Sequence, residues 1–299
     1  MKFDLSMVAV LLAALAPAVV LFLATVWDRH QRKRTEKPPQ TTKLLRPPGH
    51  SLSIRLEKTY DSLVDSLLAA TFFSAFSGIC VVWFASLLGL RAQLAALTFP
   101  LVIGVLLITG CVWFCLRVLH TFKSAQDIKL GLRGEQAVAE ALNEAAEYGF
   151  RSFHDFPAAE EWNIDHVVVG RCGVFLVETK ACRRRRSTTT QAAHEVYYNG
   201  ESLRFPHFTT NKPIDQAQRN AKWLSNYLRN KTGESVEVFP TVVLPGWFVK
   251  TTEKGNFRVS VMNATYLSGF LRRQTEKIEP SQVRRIITAL DEKCRTVEF

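Results

Sequence analysis

The chain has 299 residues, 47% of them hydrophobic, and a formal net charge of +11. That length allows one or two domains. The six cysteines, three inside apolar runs and three far apart, exclude a disulfide framework and a paired-cysteine zinc site.

Residues 5–27 carry no charge and are long enough to cross a bilayer, which needs about 20 residues. Pro17 would kink such a helix, and membrane helices tolerate this. A cleaved signal peptide is the rival reading, given Lys2 and the small residues from Ala13 to Ala18. Against it, the basic cluster Arg29–Arg34 follows the apolar run and more apolar runs come later. Residues 1–27 are therefore predicted as a first transmembrane helix.

Residues 28–66 are basic, with Pro38-Pro39 and Pro47-Pro48-Gly49, and read as an exposed connector. Leu67–Leu90 and Leu94–Leu116 are two further uncharged spans parted by Arg91-Ala-Gln93, so residues 67–120 are predicted as a transmembrane helical hairpin. Ser74, Ser77 and Gly78, facing Gly104 and Gly110, would let its helices approach closely. A buried hairpin in a soluble core is the alternative, and the absence of charge speaks against it. Residues 28–61 hold nine Lys/Arg against one in the Arg91 turn. By the positive-inside rule the connector is cytoplasmic, the N-terminus outside and residues 121–299 a cytoplasmic domain. In a bacterium this is the inner membrane, elsewhere the plasma membrane.

Residues 121–299 hold 26 Lys/Arg and 21 Asp/Glu, a basic balance that favours an anionic partner such as nucleic acid or the lipid bilayer. From Gly131 the pattern changes: Ala137, Val138, Ala141 and Leu142 recur at helical spacing. A strand is predicted at Phe150–Phe156, then a hairpin whose β-branched runs, Val167–Val169 and Val174–Val177, flank Gly170-Arg-Cys-Gly173. Gln191–Phe205 reads as a strand pair turning at Asn199-Gly200. A helix at Ile214–Arg229, strands at Val236–Leu244 and Phe257–Met262, and helices at Thr265–Arg273 and Ser281–Asp291 complete an α/β domain on a mixed sheet.

Polar groups collect at one end of the central hairpin. Glu178 and Lys180 project from one strand face and Thr179 from the other, and hairpin pairing would bring Asp165 near Glu178. Phosphodiester hydrolysis uses a hard divalent ion such as Mg²⁺, held by one or two carboxylates with other oxygens from water and phosphate. Asp165 and Glu178 can supply the carboxylates and the Thr179 carbonyl a third oxygen, while Lys180 can position water or neutralise developing charge. The same residues also suit a solvated strand end, with Asp165 capping the preceding turn. His166 alternates away from Asp165 and reads as a packed histidine. Arg183-Arg184-Arg185-Arg186 follows Lys180 closely and suits a phosphate backbone, a solvated loop or anionic headgroups. Trp162, Tyr197, Tyr198 and Phe205 suit either base stacking or a core.

Taken together, Gly134-Glu135, Ile164-Asp165-His166, Gly173-Val174-Phe175 and Glu178-Thr179-Lys180 resemble the nuclease-related domain (NERD) family over residues 129–245. That family is regarded as a branch of the PD-(D/E)XK nucleases. The resemblance implies a restriction-endonuclease-like mixed sheet flanked by helices, here preceded by three transmembrane helices. It implies metal-binding roles for Asp165 and Glu178 with Mg²⁺ or Mn²⁺, a catalytic role for Lys180, and a supporting acid in Glu135. Gln216 matches a supporting glutamine on the helix after the core strands, although no tyrosine follows four residues on. The expected activity is cleavage of DNA or RNA; the alternative is an inactive membrane-tethered binding or regulatory module. Many two-strand cutters pair up, so a homodimer stays open.

Overall fold

The structure, a computed structural model, describes residues 20, 24, 27, 42–87, 95–159, 162–184, 194–252, 255 and 257–297; the side chains of 71–87, 95–103, 106 and 107 are not described. It divides into two compact units. One comprises Met1–Pro39 with Glu57–Gln126, the other Gln40–Leu56 with Asp127–Phe299. Gln40–Leu56, inside the stretch predicted as a connector, thus folds with the C-terminal domain.

Of the three predicted spans, the first lies outside the described residues apart from Val20, Ala24 and Trp27. The backbone of the other two is helical, in α1 (His50–Leu87) and α2 (Ala95–Ala146), while the Arg91 turn lies outside the described residues. Among the described residues, no helix is long and apolar enough to cross a membrane. The helix predicted to begin near Gly131 is the last part of α2, because nothing between residues 117 and 131 breaks a helix. No proline occurs there, and a helical glycine costs only about 1 kcal/mol.

In the C-terminal unit the central sheet has the order β10-β8-β4-β3-β2, formed by β2 (Arg151–Ala159), β3 (Trp162–Gly170), β4 (Gly173–Thr179), β8 (Val238–Val243) and β10 (Ser260–Met262). β2, β3 and β4 form an antiparallel meander, and β8 and β10 add on parallel to β4. The predicted hairpin forms with Gly170 opposite Gly173. Both sheet faces are covered, so β4 is a continuous apolar run up to Glu178.

On one face Val174 and Leu176 pack in a core with Ala217, Ala221, Leu224 and Leu228 of α3 (Lys212–Thr232) and with Ile286 and Leu290 of α5 (Pro280–Cys294). On the other, Phe175 and Val177 share a core with Val138, Leu142 and Ala145 of α2 and Leu267 and Leu271 of α4 (Leu267–Arg272). Pro213 at the start and left-handed Gly233 at the end bound α3.

A second mixed sheet, β7-β6-β5-β9, contains β5 (Glu195–Tyr198), β6 (Leu203–Arg204), β7 (Thr209–Thr210) and β9 (Phe248–Thr251). The predicted turn at Asn199-Gly200 joins β5 to β6; β7 and β9 are short, and no alternation announces them. A strap of β1 (Leu44–Leu45) on β11 (Arg295–Val297) closes the unit. The helix expected at Thr265–Arg273 divides into a 3₁₀ turn at Ala264–Tyr266, capped by Asn263, and α4.

Candidate active site at the end of the central sheet

At this end the β3–β4 ladder closes with His166 opposite Val177. One further step in that register sets Asp165 across from Glu178, and residues directly opposite share a sheet face. On the other side of β3, the pairs His154–His166 and Phe156–Ile164 bracket Asp155 and Asp165. Three acids, Asp155, Asp165 and Glu178, therefore form a row across three strands. Glu135 joins them from α2. There Gly134 faces Ala181 so closely that a Cβ would stand 2.7 Å from the Ala181 Cβ, so the glycine is what lets α2 lie against the end of β4.

Each acid is held differently. The Thr179 N–H donates to Asp165 Oδ2 at 2.7 Å, and Gln216 Nε2 donates to Glu178 Oε1 at 2.5 Å. Burial pushes the Asp165 carboxyl up to about 7; the Thr179 N–H opposes this, Asp155 adds to it and Lys180 opposes it. Glu178 is raised well above the ordinary range, first by burial, then by Asp165 and Glu135, against the pull of Lys180 and Gln216. Glu135 is pushed up to about 9 by burial, Asp165 and Asp155, with the Gly49 N–H opposing. All three shifts have the same physical origin: negative charge taken out of water and crowded by its neighbours.

Glu135 Oε2 and Glu178 Oε2 are buried without a hydrogen-bond partner. Such atoms cost free energy unless something satisfies them, and a divalent cation is what two crowded carboxylates would satisfy most strongly. Among the described residues, no group of three or more His, Cys, Asp or Glu is gathered closely enough to hold an ion by side chains alone. The donors present match a site of the Mg²⁺ kind, in which one or two carboxylates are completed by a carbonyl, water and phosphate. Lys180 stands exposed at the mouth, its backbone pinned by an N–H bond to the Val243 carbonyl at 2.9 Å.

The arginine run is less uniform than its sequence suggests. Arg183 is paired with Asp127 at 2.7 Å, both half open to water, a geometry that contributes little stability. The Arg184 guanidinium lies over the Trp247 ring, 5.9 Å from its centroid, and Arg185 and Arg186 lie outside the described residues. Tyr198 and Phe205, considered for base stacking, are buried in the core; half-buried Trp162 packs edge-on against Trp223.

Two features escaped the sequence. Asp155, in a left-handed backbone conformation (φ 47°), is buried and bonded to Arg46 at 3.1 Å, to the Ser51 N–H at 3.2 Å, to the Ser51 hydroxyl and to Asn163 Nδ2 at 3.1 Å. The hint was an acid inside a predicted strand. His166 is packed and hydrogen-bonded as expected, but its partner was not foreseen. Its Nδ1 meets His154 Nδ1 at 2.8 Å, and its Nε2 meets Thr179 Oγ1 at 3.2 Å. One ring donates and the other accepts, so the accepting ring is neutral. Burial and Arg151 lower His154 to about 4, and burial and His154 lower His166 well below its ordinary value. This pair holds Thr179, whose N–H holds Asp165.

Residues 130–245 match the family model of the nuclease-related domain. The match spans the acid on α2, the whole hairpin, Gln216 and β8, and it suggests a nuclease-like function. No curated protein and no solved structure matches the chain.

Proposed function

We propose that the C-terminal unit is a metal-dependent phosphodiesterase of the restriction-endonuclease type that cleaves DNA or RNA and is tethered to a membrane. The observation that carries this reading is the pair of partnerless buried oxygens, Glu135 Oε2 and Glu178 Oε2, grouped electrostatically with Asp165 beside an exposed lysine. Asp165, Glu178 and the Thr179 carbonyl would hold Mg²⁺ or Mn²⁺, with Glu135 supporting them. When bound, such an ion polarises the phosphate and lowers the pKa of the attacking water.

The chain's own groups supply the rest. Gln216 fixes one oxygen of Glu178 and leaves the other for the site. The Thr179 N–H fixes one oxygen of Asp165. Lys180, one pleat beyond Glu178, orients the water and offsets negative charge as it grows on the phosphate. Arg184 and its neighbours Arg183, Arg185 and Arg186 meet the flanking phosphates. The anchor rests on the three charge-free runs at residues 5–27, 67–90 and 94–116; it places the domain in the cytoplasm beneath the inner or plasma membrane, where two copies can pair to cut two strands.

The test uses the full chain, prepared from carbonate-washed membranes in detergent. It is incubated with labelled single- and double-stranded DNA and RNA in Mg²⁺, Mn²⁺ or EDTA. Cleavage should require the metal and fall about a hundredfold or more in Asp165→Asn and in Lys180→Ala. Binding without cleavage in the unaltered chain would instead favour the inactive regulatory module, and release by carbonate would refute the anchor.

A further inference from the structure

We propose that Phe208 is a stacking platform for an unpaired base, which makes single-stranded nucleic acid, or the frayed end of a duplex, the ligand of this face. This deepens the function proposed above and rests on it. Phe208 is 47% exposed, and its ring lies parallel to that of Phe205, 4.5 Å away with the planes 12° apart. Phe205 is itself buried and stands edge-on to buried Trp247 at 5.0 Å. The Phe205 N–H donates to the Phe208 carbonyl at 2.8 Å, closing a turn that contains Pro206. One face of the Phe208 ring is thus backed by the core, the other is open, and the backbone is fixed in advance. Pre-ordering of this kind removes the entropy cost that weakens stacking on a loose side chain.

A single exposed phenylalanine is ordinary; its charge setting and its connections distinguish this one. From Arg204 to Lys212 the chain carries two exposed cations and no acid. The stack is linked to the acid cluster by two routes. Trp247 Nε1 donates to the Cys182 carbonyl at 3.3 Å, two residues beyond Lys180, and Arg184 covers the Trp247 ring. In the other direction the Phe208 turn leads into α3, which delivers Gln216 to Glu178. A strand with a base on Phe208 would have the exposed cations Arg204 and Lys212 within four residues of it along the chain for its phosphates. Every base has a π-face, so sequence matters little; a base inside a duplex has both faces covered by its neighbours.

The experiment measures binding of the full chain in detergent, in EDTA to prevent turnover. The ligands are a fluorescent single-stranded DNA, the same sequence as RNA, and a closed hairpin duplex. A 2-aminopurine base in the single strands reports stacking directly. Phe208→Ala should weaken both single strands about tenfold, leave the duplex unchanged and abolish the 2-aminopurine quenching; Phe208→Trp should restore affinity and quenching. Equal loss on single strand and duplex, or no loss on either, overturns the platform. If the unaltered chain binds no oligonucleotide at all, the proposed function falls as well; if it binds and Phe208→Ala binds equally, only the platform falls.

Discussion

Glu178 is where folding and chemistry pull in opposite directions. Strand alternation sends it to the face packed against α3, and burial with Asp165 and Glu135 raises its carboxyl well above the ordinary range. The same holds for Glu135, raised to about 9. A carboxyl raised on folding binds more protons in the folded state. Its contribution is fully present below the unfolded value and is lost as pH rises towards the folded one. The metal-free protein should therefore lose about 2 kcal/mol or more between pH 6.5 and 9, since one unit is worth about 1.4 kcal/mol. His154 and His166 act the other way: neutral in the fold, they stabilise fully above pH 6.5 and less as pH falls towards 4. Above pH 6.5 the histidines add nothing further, so melting in EDTA should fall steadily from pH 6.5 to 9. Mg²⁺ should raise Tm at pH 8 more than at pH 5, and Glu178→Gln should flatten the alkaline side. A flat profile with no response to Mg²⁺ would count against the ion site. Asp165 and Glu178 were legible in the sequence because a tight hairpin and a period of two fix their facing. Asp155 was not, because its charged partner, Arg46, is 109 residues away and no local pattern carries that pairing.

Among elements, the first turn of α1 is the least local. A helix start leaves N–H groups without partners inside the helix, and no residue beside Ser51 marks how they are met. Asp155, from β2, accepts from the Ser51 N–H and hydroxyl and so caps α1 from across the fold. The same carboxylate pairs with Arg46, with 3% and 19% of the two side chains exposed. Next to it, buried Gly49 sits at φ +70° with space so tight that a Cβ would meet Leu132 Cδ1 at 2.3 Å, and its N–H steadies Glu135. Asp155→Ala would leave a half-buried guanidinium without its partner and a helix start uncapped. Its expected cost is about 3 kcal/mol, read as a lowered urea midpoint; a cost within about 0.5 kcal/mol would mean the contact is an ordinary surface pair. The elements with strong periodicity were legible: the hairpin, α3 and the β8 region. β1, β7, β9 and β11 were not, because strands of two to four residues are too short to show a period and form only where a neighbouring strand is offered.

At the scale of the whole molecule, the C-terminal unit is not one continuous stretch of chain. A boundary drawn at residue 121 follows the change in hydropathy, whereas the fold draws Gln40–Leu56 into the same unit as Asp127–Phe299. A fragment of residues 121–299 would lack β1, the partner of β11, and would leave Asp155 without Arg46 and Ser51 and Glu135 without the Gly49 N–H. It should therefore melt lower than the same domain carrying its missing piece. Leu52 reaches Gly131, where a Cβ would stand 3.2 Å from Leu52 Cδ1, so α1 and α2 run side by side at this point. A short Gly-Ser linker can then join Leu56 to Asp127. In that fusion, residues 40–56 precede 127–299 and every contact of Asp155 and Glu135 is kept. The two proteins are compared by urea titration. The fusion should unfold at the higher midpoint, by about 3 kcal/mol if the Arg46–Asp155 pair dominates the difference, and adding Asp155→Ala should remove most of that gain. Equal midpoints would show that the domain stands without the N-terminal segment, and Asp155 would then be satisfied by water.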